Sequence, residues 1–338
     1  MGWKRERALV FGGGGFLGRA IIRQLMDNGV SSIVSFGRSF QPELKELGVE
    51  HISGDLRDMD AVYAACKNST VVFHTAAKAG IWGKWPEYYG INVEGTLNVL
   101  KGCLKNSIPV MVYTSSPSVA YPPCMNIENA DEKRPYPDKF LAYYPQTKAM
   151  AEKEVLMASN KDFLTTALRP HLLWGPGDPH LLPRVVERAR KGKLMIVGNA
   201  ENLVDMTYVD NAASAHIKVA ANLLRGDKAA AGKAYFISDD KPVNLWNWIE
   251  ILLKRLDIPA PSRKISYRKA YFAGALLEAV YGLFALNAEP PMTRFVAGQL
   301  AFSHYFNISA AKKDFGYEPL TGYDEIFEKT LEFLKKYK

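Results

Sequence analysis

Tyr144 and Lys148 stand four residues apart in the run Tyr143-Tyr-Pro-Gln-Thr-Lys148. On a helix that spacing puts a phenol and an ammonium on one face. A nearby ammonium lowers the pKa of a phenol from about 10, which readies it to exchange a proton with a carbonyl or alcohol oxygen. Tyr143 is the rival, but four residues after it stands Thr147, which carries no charge. Pro145 suits a first helical turn and so places the pair at a helix start. Upstream, Tyr113-Thr-Ser-Ser-Pro-Ser118 ends a strand-like run, where Ser116 can donate a hydrogen bond to the same substrate oxygen.

A second constellation binds rather than reacts. Gly12-x-x-Gly15-x-x-Gly18 follows one strand-like run and opens a helix. Gly12, Gly14, Gly15, Phe16, Leu17 and Gly18 are the expected cradle for a pyrophosphate. Glycine lets the backbone turn sharply and approach the phosphates, which the helix N-terminus meets with free N–H groups and a positive dipole end. The second strand ends in Phe36-Gly37-Arg38-Ser39, with no acid to take the ribose 2′-hydroxyl of NAD. Arg38, with Ser39 beside it, suits a 2′-phosphate, so NADP(H) is the expected cofactor and NAD(H) stays open. Asp55 and Leu56 read equally as an adenine contact or as a turn.

Alternating strands and helices must carry these residues, the pattern of repeated βαβ units. Strands are expected at 8–11, 32–36, 49–53, 70–75, 110–115 and 163–169. Helices are expected at 17–28, from an Asp58 cap to 67, and at 88–105 and 144–158. Beyond Pro170 the pattern loosens, with Pro and Gly punctuating 171–183, a helix from there to 191, strands at 194–197 and 234–237, and helices at 244–256, 269–286 and 323–336. The expected fold is a Rossmann-type, doubly wound parallel α/β sheet with a small C-terminal substrate-binding lobe. Residues 1–170 form the dinucleotide-binding core and 171–338 mainly the lobe, some elements returning to the core.

Composition bounds the rest. The 338 residues are 48% hydrophobic and 23% charged, which excludes disorder and a fibrous class. A formal charge of +8 is modest and scattered, and does not argue for nucleic acid. Three cysteines make no disulfide framework, and six histidines show no metal-ligand spacing, so no metal is expected. Cys66 and Cys103 read as small core residues. The charged start running straight into a strand predicts no signal peptide and a cytoplasmic location.

These motifs together resemble the extended short-chain dehydrogenase/reductase superfamily, and more closely its 3β-hydroxysteroid dehydrogenase branch. The resemblance covers nearly the whole chain: FGGGGFLG at 11–18, GDL at 54–56, FHTAA at 73–77, NVEGT at 92–96, YTSSPSV at 113–119, YYPQTK at 143–148 and ALRP at 167–170. It implies that Ser116, Tyr144 and Lys148 form the catalytic set, supported by Asn92. It also implies that Thr75, Ala76 and Ala77 lie beside the nicotinamide ribose, with Tyr144 and Lys148, and Pro170 with His171 beside the carboxamide. Phe11 departs from the threonine of many relatives, a change expected to affect packing rather than phosphate contact.

HTAAKAGIWG at 74–83, TSSPSV at 114–119, LRPHLLWGPGD at 168–178 and GKAYFIS at 232–238 also look like bacterial 2-alkyl-3-oxoalkanoate reductases. The implied activity is NADPH-dependent reduction of a lipid-like β-keto acid. The alternatives are a 3β-hydroxysteroid or sterol-4α-carboxylate 3-dehydrogenase, and, from another class, a non-catalytic dinucleotide-binding redox sensor. Lys78, Trp82, Trp85, Ser116 and Ser118 are the expected substrate contacts. For Trp82, Trp85, Tyr88 and Tyr89, pocket wall and core filling weigh equally, and Arg184 reads as a solvated helix-face residue before a substrate-carboxylate partner. A homodimer stays open by resemblance. Residues 270–288 are apolar, interrupted by Glu278, and follow Arg263, Lys264, Arg268 and Lys269. They read either as a helix lying on a membrane surface or as a buried lid.

Overall fold

Seven short runs form one parallel sheet: Arg7–Phe11 (β1), Ser32–Gly37 (β2), Glu50–Ser53 (β3), Val71–His74 (β4), Val110–Thr114 (β5), Leu164–Pro170 (β6) and Lys233–Ile237 (β7). Their order is β7-β6-β5-β4-β1-β2-β3. The computed structural model describes residues 3–39, 41–122, 124–320 and 322–336. Met1 and Gly2, where the charged start begins, lie outside them. The helices that bear on the site are Phe16–Asp27 (α1), Met59–Ala65 (α2), Gly95–Lys105 (α3), Tyr143–Met157 (α4), Leu181–Arg190 (α5), Val209–Leu224 (α6) and Tyr267–Leu283 (α7).

Alternation along β1 shows why the sheet is covered on both faces. Ala8 and Val10 join one apolar cluster with residues of α1 and α6, while Leu9 and Phe11 join another with residues of α2, α3 and α4. Both faces are dry, so the strands read as continuous apolar runs. The order reverses between β1 and β4, where open α/β sheets leave a ligand crevice at their carboxyl edge. Phe11 is fully buried, edge-on to Phe36 at 5.0 Å, so its substitution is a matter of packing. Asp58 caps α2 as expected, accepting from the amides of Asp60 and Ala61.

Three differences from the expected elements matter. The single helix read over 88–105 is a short α-turn Trp85–Tyr88, a π-helical stretch Tyr89–Glu94 and then α3. A π-stretch adds a residue to the turn and marks functional positions in many helices; here it carries Asn92 into the interior. The loosened second half also hides α6. Finally, Val243–Asn244, Leu203–Val204, His304–Phe306 and Ile127–Ala130 form a small mixed sheet in that order, none expected except as part of the 244–256 helix.

The expectation of a buried lid at 270–288 is not met. Only Ala270 and Gly274 of α7 are buried, while Phe272, Leu276 and Leu283 are 70%, 66% and 81% exposed. The two glycines of α7 play opposite parts. A Cβ on Gly274 would stand 2.6 Å from the Thr293 carbonyl carbon, whereas one on Gly282 would meet nothing within 4 Å. Gly274→Ala is therefore expected to destabilise the protein by about 1–3 kcal/mol through overpacking. Gly282→Ala is expected to stabilise it by about 0.5–1 kcal/mol through helix propensity. Urea unfolding of the two variants gives the signs; matching signs would contradict this packing.

Candidate active site

The segments that follow β1 to β6 meet along one sheet edge and line two clefts. The first, of about 630 Å³, takes Gly12, Gly14, Gly15, Phe16, Leu17, Gly18, Arg38, Ser39, Asp55, Leu56, Thr75, Ala76 and Ala77 among its walls. The second, of about 520 Å³, takes Ser116, Ser118, Tyr144, Pro170 and His171. One loop runs between them, with residues 75–78 in the first and 79–81 in the second.

The first cleft has a floor bare of side chains. Gly12 holds φ +82°, and a Cβ there would come within 2.8 Å of the Ala76 amide nitrogen. One on Gly18 would come within 2.1 Å of the Gly12 carbonyl oxygen. Gly15 caps α1 without any side-chain bond, so the first amides of the helix stay free for an anion. This floor fits a dinucleotide pyrophosphate. Arg38 is exposed on the rim. Arg57, which the sequence reading missed, grips Asp55 through Nε and Nη2 at 2.9 and 2.7 Å. That grip holds the Asp55 carboxyl down at about 2. Its one local signal was the Asx turn from Asp55 to the Arg57 amide.

In the second cleft, the Ser116 and Ser118 hydroxyls lie 2.8 Å apart, and the Ser116 hydroxyl is near enough to the Tyr144 phenol to favour its ionised form. Tyr144 keeps part of its ring open to the cleft. The lowered phenol expected from Lys148 is not found. Burial raises the Tyr144 pKa, and only the Ser116 hydroxyl works against it. Lys148 lines neither cleft; its Nζ donates to the Thr114 carbonyl at 2.6 Å and lies 4.1 Å from the centre of the Tyr113 ring. Burial brings this ammonium down to about 7, opposed by the charge of Glu152. Burial, with Lys148 close by, also pushes His74 down to about 3.

Asn92 is a brace. Its Oδ1 accepts from the Lys78 amide at 2.7 Å, and its Nδ2 donates to the Lys78 carbonyl at 3.2 Å and to Thr147 Oγ1 at 3.0 Å. The loop between the clefts is thus tied to α4 beside Tyr144. Tyr143, the rival, is 44% exposed and packs edge-on to Trp85.

Several expected contacts lie elsewhere. Lys78 borders the first cleft and pairs with Glu87 at 2.8 Å, so it does not face the second. Trp82 and Trp85 line neither: Trp82 bonds the Leu286 carbonyl at 3.0 Å, and Trp85 packs on Tyr89 and Tyr143. Tyr88 is buried. Tyr144, Pro170 and His171 border the second cleft rather than the dinucleotide cleft. His171 meets His304 at 2.7 Å, and His304 stacks on Tyr121. Burial lowers both histidines, His304 to about 4. Tyr121 and Gln299, bonded to each other, are cleft residues the sequence reading missed.

Residues 9–267 match the 3-beta hydroxysteroid dehydrogenase/isomerase family. The chain belongs to this family. It is 45% identical over 321 residues to 2-alkyl-3-oxoalkanoate reductase of Stenotrophomonas maltophilia, covering 94% of this chain and 96% of that one. It is 35% identical over 335 residues to the decarboxylating sterol-4-alpha-carboxylate 3-dehydrogenase of Mus musculus, covering 97% and 91%. Among solved structures, UDP-glucuronic acid 4-epimerase of Bacillus cereus, in complex with UDP-glucuronic acid and NAD, superposes with a TM-score of 0.75 at 20% identity, over 98% of this chain and 100% of that one. That likeness shows the fold. As a member of this family, the protein is an oxidoreductase acting on hydroxyl or keto groups.

The depressed Lys148 pKa has a consequence for stability. Between about 7 and the unfolded value of 10.5, the unfolded chain holds a proton there that the folded chain has lost. Stability therefore rises with pH across that window, and the penalty is complete below it. Lys148→Met is expected to stabilise the protein by ~1–3 kcal/mol at pH 6, with a smaller gain at pH 9. Denaturant titrations at both pH values check this; a gain that grows with pH would contradict it.

Proposed function

We propose that the protein reduces the 3-keto group of a lipid-like 2-alkyl-3-oxo acid to the 3-hydroxy acid with NADPH. The observation that carries this reading is the meeting of Tyr144 and Ser116 in a largely apolar cleft beside the bare glycine floor. A nicotinamide dinucleotide held over the glycine floor would supply the hydride for the carbonyl carbon. Tyr144 gives its proton to the carbonyl oxygen as negative charge builds there, and burial keeps the phenol protonated until that step. Ser116 donates a hydrogen bond that fixes the same oxygen. Lys148, one turn behind, donates to the Thr114 carbonyl and so braces the end of β5 that leads to Ser116. Asn92 positions both by bracing α4. Leu181, Val185, Phe295, Val296 and Leu300 wall the cleft and suit alkyl chains. On this assignment residues 1–170 mainly hold the dinucleotide and residues 171–338 mainly the substrate.

The name of the bacterial relative favours the open-chain keto acid, and that of the mouse relative supports a sterol carboxylate as the second reading, with the same residues in the same roles. Comparing turnover of a 2-alkyl-3-oxo acid with NADPH against a 3β-hydroxysteroid with NAD separates the two. Tyr144→Phe is expected to cost at least about a hundredfold in turnover with dinucleotide affinity nearly intact, while Tyr143→Phe stays active. Equal activity of the two variants would sink the proton-donor assignment.

Arg38 carries the cofactor preference. No acid ends β2, and the guanidinium, exposed on the rim near Asp55, can meet a 2′-phosphate with charge-assisted bonds of about 1.5–3 kcal/mol. Arg38→Ala is expected to weaken NADPH tenfold or more and leave NADH nearly unchanged, read by fluorescence titration. Equal losses would refute the phosphate role.

We further propose that α7 rests on an anionic lipid surface. Its exposed stripe of Phe272, Leu276, Leu283 and the adjoining Phe284 follows four exposed basic residues, Arg263, Lys264, Arg268 and Lys269. No described helix is long and apolar enough to cross a membrane. Flotation with anionic vesicles at low salt is expected to carry the protein, and Phe272→Ser with Leu283→Ser to abolish this. Failure to float, with a dimer that the same substitutions dissociate, would assign the stripe to a second copy instead.

A further inference from the structure

Helix α5 turns two guanidiniums toward the second cleft. Arg184 and Arg188, one turn apart, both line it. Arg184 holds Glu289 at two points, Nη1 to Oε1 at 3.1 Å and Nη2 to Oε2 at 2.5 Å. Arg188 donates to the Pro291 carbonyl at 2.6 Å. Glu187 also borders the cleft, but Lys191 takes its carboxylate. Two cations thus face the cavity, and Glu289 is the carboxylate that answers them.

Glu289 is not a fixed part of the sheet. It belongs to the segment Glu289-Pro290-Pro291, which walls the cleft and follows α7. The Arg184 and Glu289 side chains are 55% and 25% exposed, so a ligand in the cleft can reach the pair. Such an exposed pair is held weakly enough to be exchanged.

We propose that Arg184 recognises the carboxylate of the substrate and that Glu289 occupies its place until an acidic substrate displaces it. This rests on the keto-acid reading above and deepens it. A planar guanidinium takes any carboxylate in the same two-bond fork, so the exchange preserves both hydrogen bonds. The displaced Glu289 turns to water while Arg188 keeps its bond to Pro291, so the wall stays attached as the ligand enters. A neutral ester or ketone cannot make the exchange, and discrimination follows from that difference.

Arg184→Gln and Glu289→Gln break the same ion pair from opposite sides. The substrates are a 2-alkyl-3-hydroxy acid and its methyl ester, oxidised with either nicotinamide cofactor supplied. The ratio of kcat/KM for acid over ester is expected to fall about tenfold or more in Arg184→Gln. It is expected to rise in Glu289→Gln, where the competitor is gone. A purely structural latch would lower both substrates in parallel in both variants. Parallel losses, or an unchanged ratio in Arg184→Gln, overturn the exchange and leave the keto-acid reading standing. Wild-type protein that oxidises neither compound overturns that reading and the exchange with it.

Discussion

Glu152 and Arg169 sit beyond the reach of water, 0% and 4% exposed, joined by bonds of 2.6 and 2.9 Å. Tyr136 donates a third bond to the same carboxylate at 2.6 Å. Desolvation offsets most of the attraction in a buried pair, so its contribution is register more than stability. Here it fastens α4 to β6. Lys148 lies one turn before Glu152 and Tyr144 two turns before, so the pair sets the height and rotation of that whole face. At its other end, Arg169 leads directly into Pro170 and His171, which wall the second cleft. The charge of Glu152 also opposes the burial that depresses Lys148. One interaction thus places a helix, a cleft wall and the charge state of a lysine.

Burial acts on the two members of the Tyr–Lys pair in opposite directions, because each loses solvation of its charged form. The phenol rises and the ammonium falls. Spacing in the sequence showed that the two share a helix face, and the structure keeps them there. It did not show the medium between them. Thr114, Tyr113 and Glu152 surround the ammonium and Ser116 meets the phenol, and all but Glu152 come from another part of the chain, so the signs of the two shifts were not legible in the five residues Tyr144 to Lys148.

The same distinction explains the rest of what the sequence disclosed. The glycine loop, the missing acid after β2 and the Asp58 cap are requirements of a few consecutive residues, and each can be read where it stands. The alternating strands announce themselves by apolar runs. The second half offers no such period: α6 is buried on most sides, which erases its amphipathic stripe, and the mixed sheet uses segments of two to four residues. His304 pairs with Ile127 across that sheet and brings its ring to His171, a meeting that no local pattern records. The π-stretch around Asn92 is equally silent, since one extra residue per turn changes hydrogen bonding but not composition.

Fold and chemistry therefore separate along the chain. The fold recurs in the sugar-nucleotide epimerase structure at 20% identity, so it cannot by itself select a substrate. What differs must come from the pieces that close the second cleft: the loop 79–81, the stretch 170–194 and the stretch 289–300. These come from three places far apart in sequence, after β4, after β6 and after α7. Asn92, through the Lys78 backbone and Thr147, ties the first of them to the helix that carries Tyr144. The loop that touches both clefts is thereby held through its backbone, so a shift there would move a wall of each. The stretches 170–194 and 289–300 are anchored by buried residues such as Trp174, Leu182, Val186, Phe295 and Ala297, while Arg184 and Arg188 join them across the cleft through an exposed ion pair and a carbonyl contact.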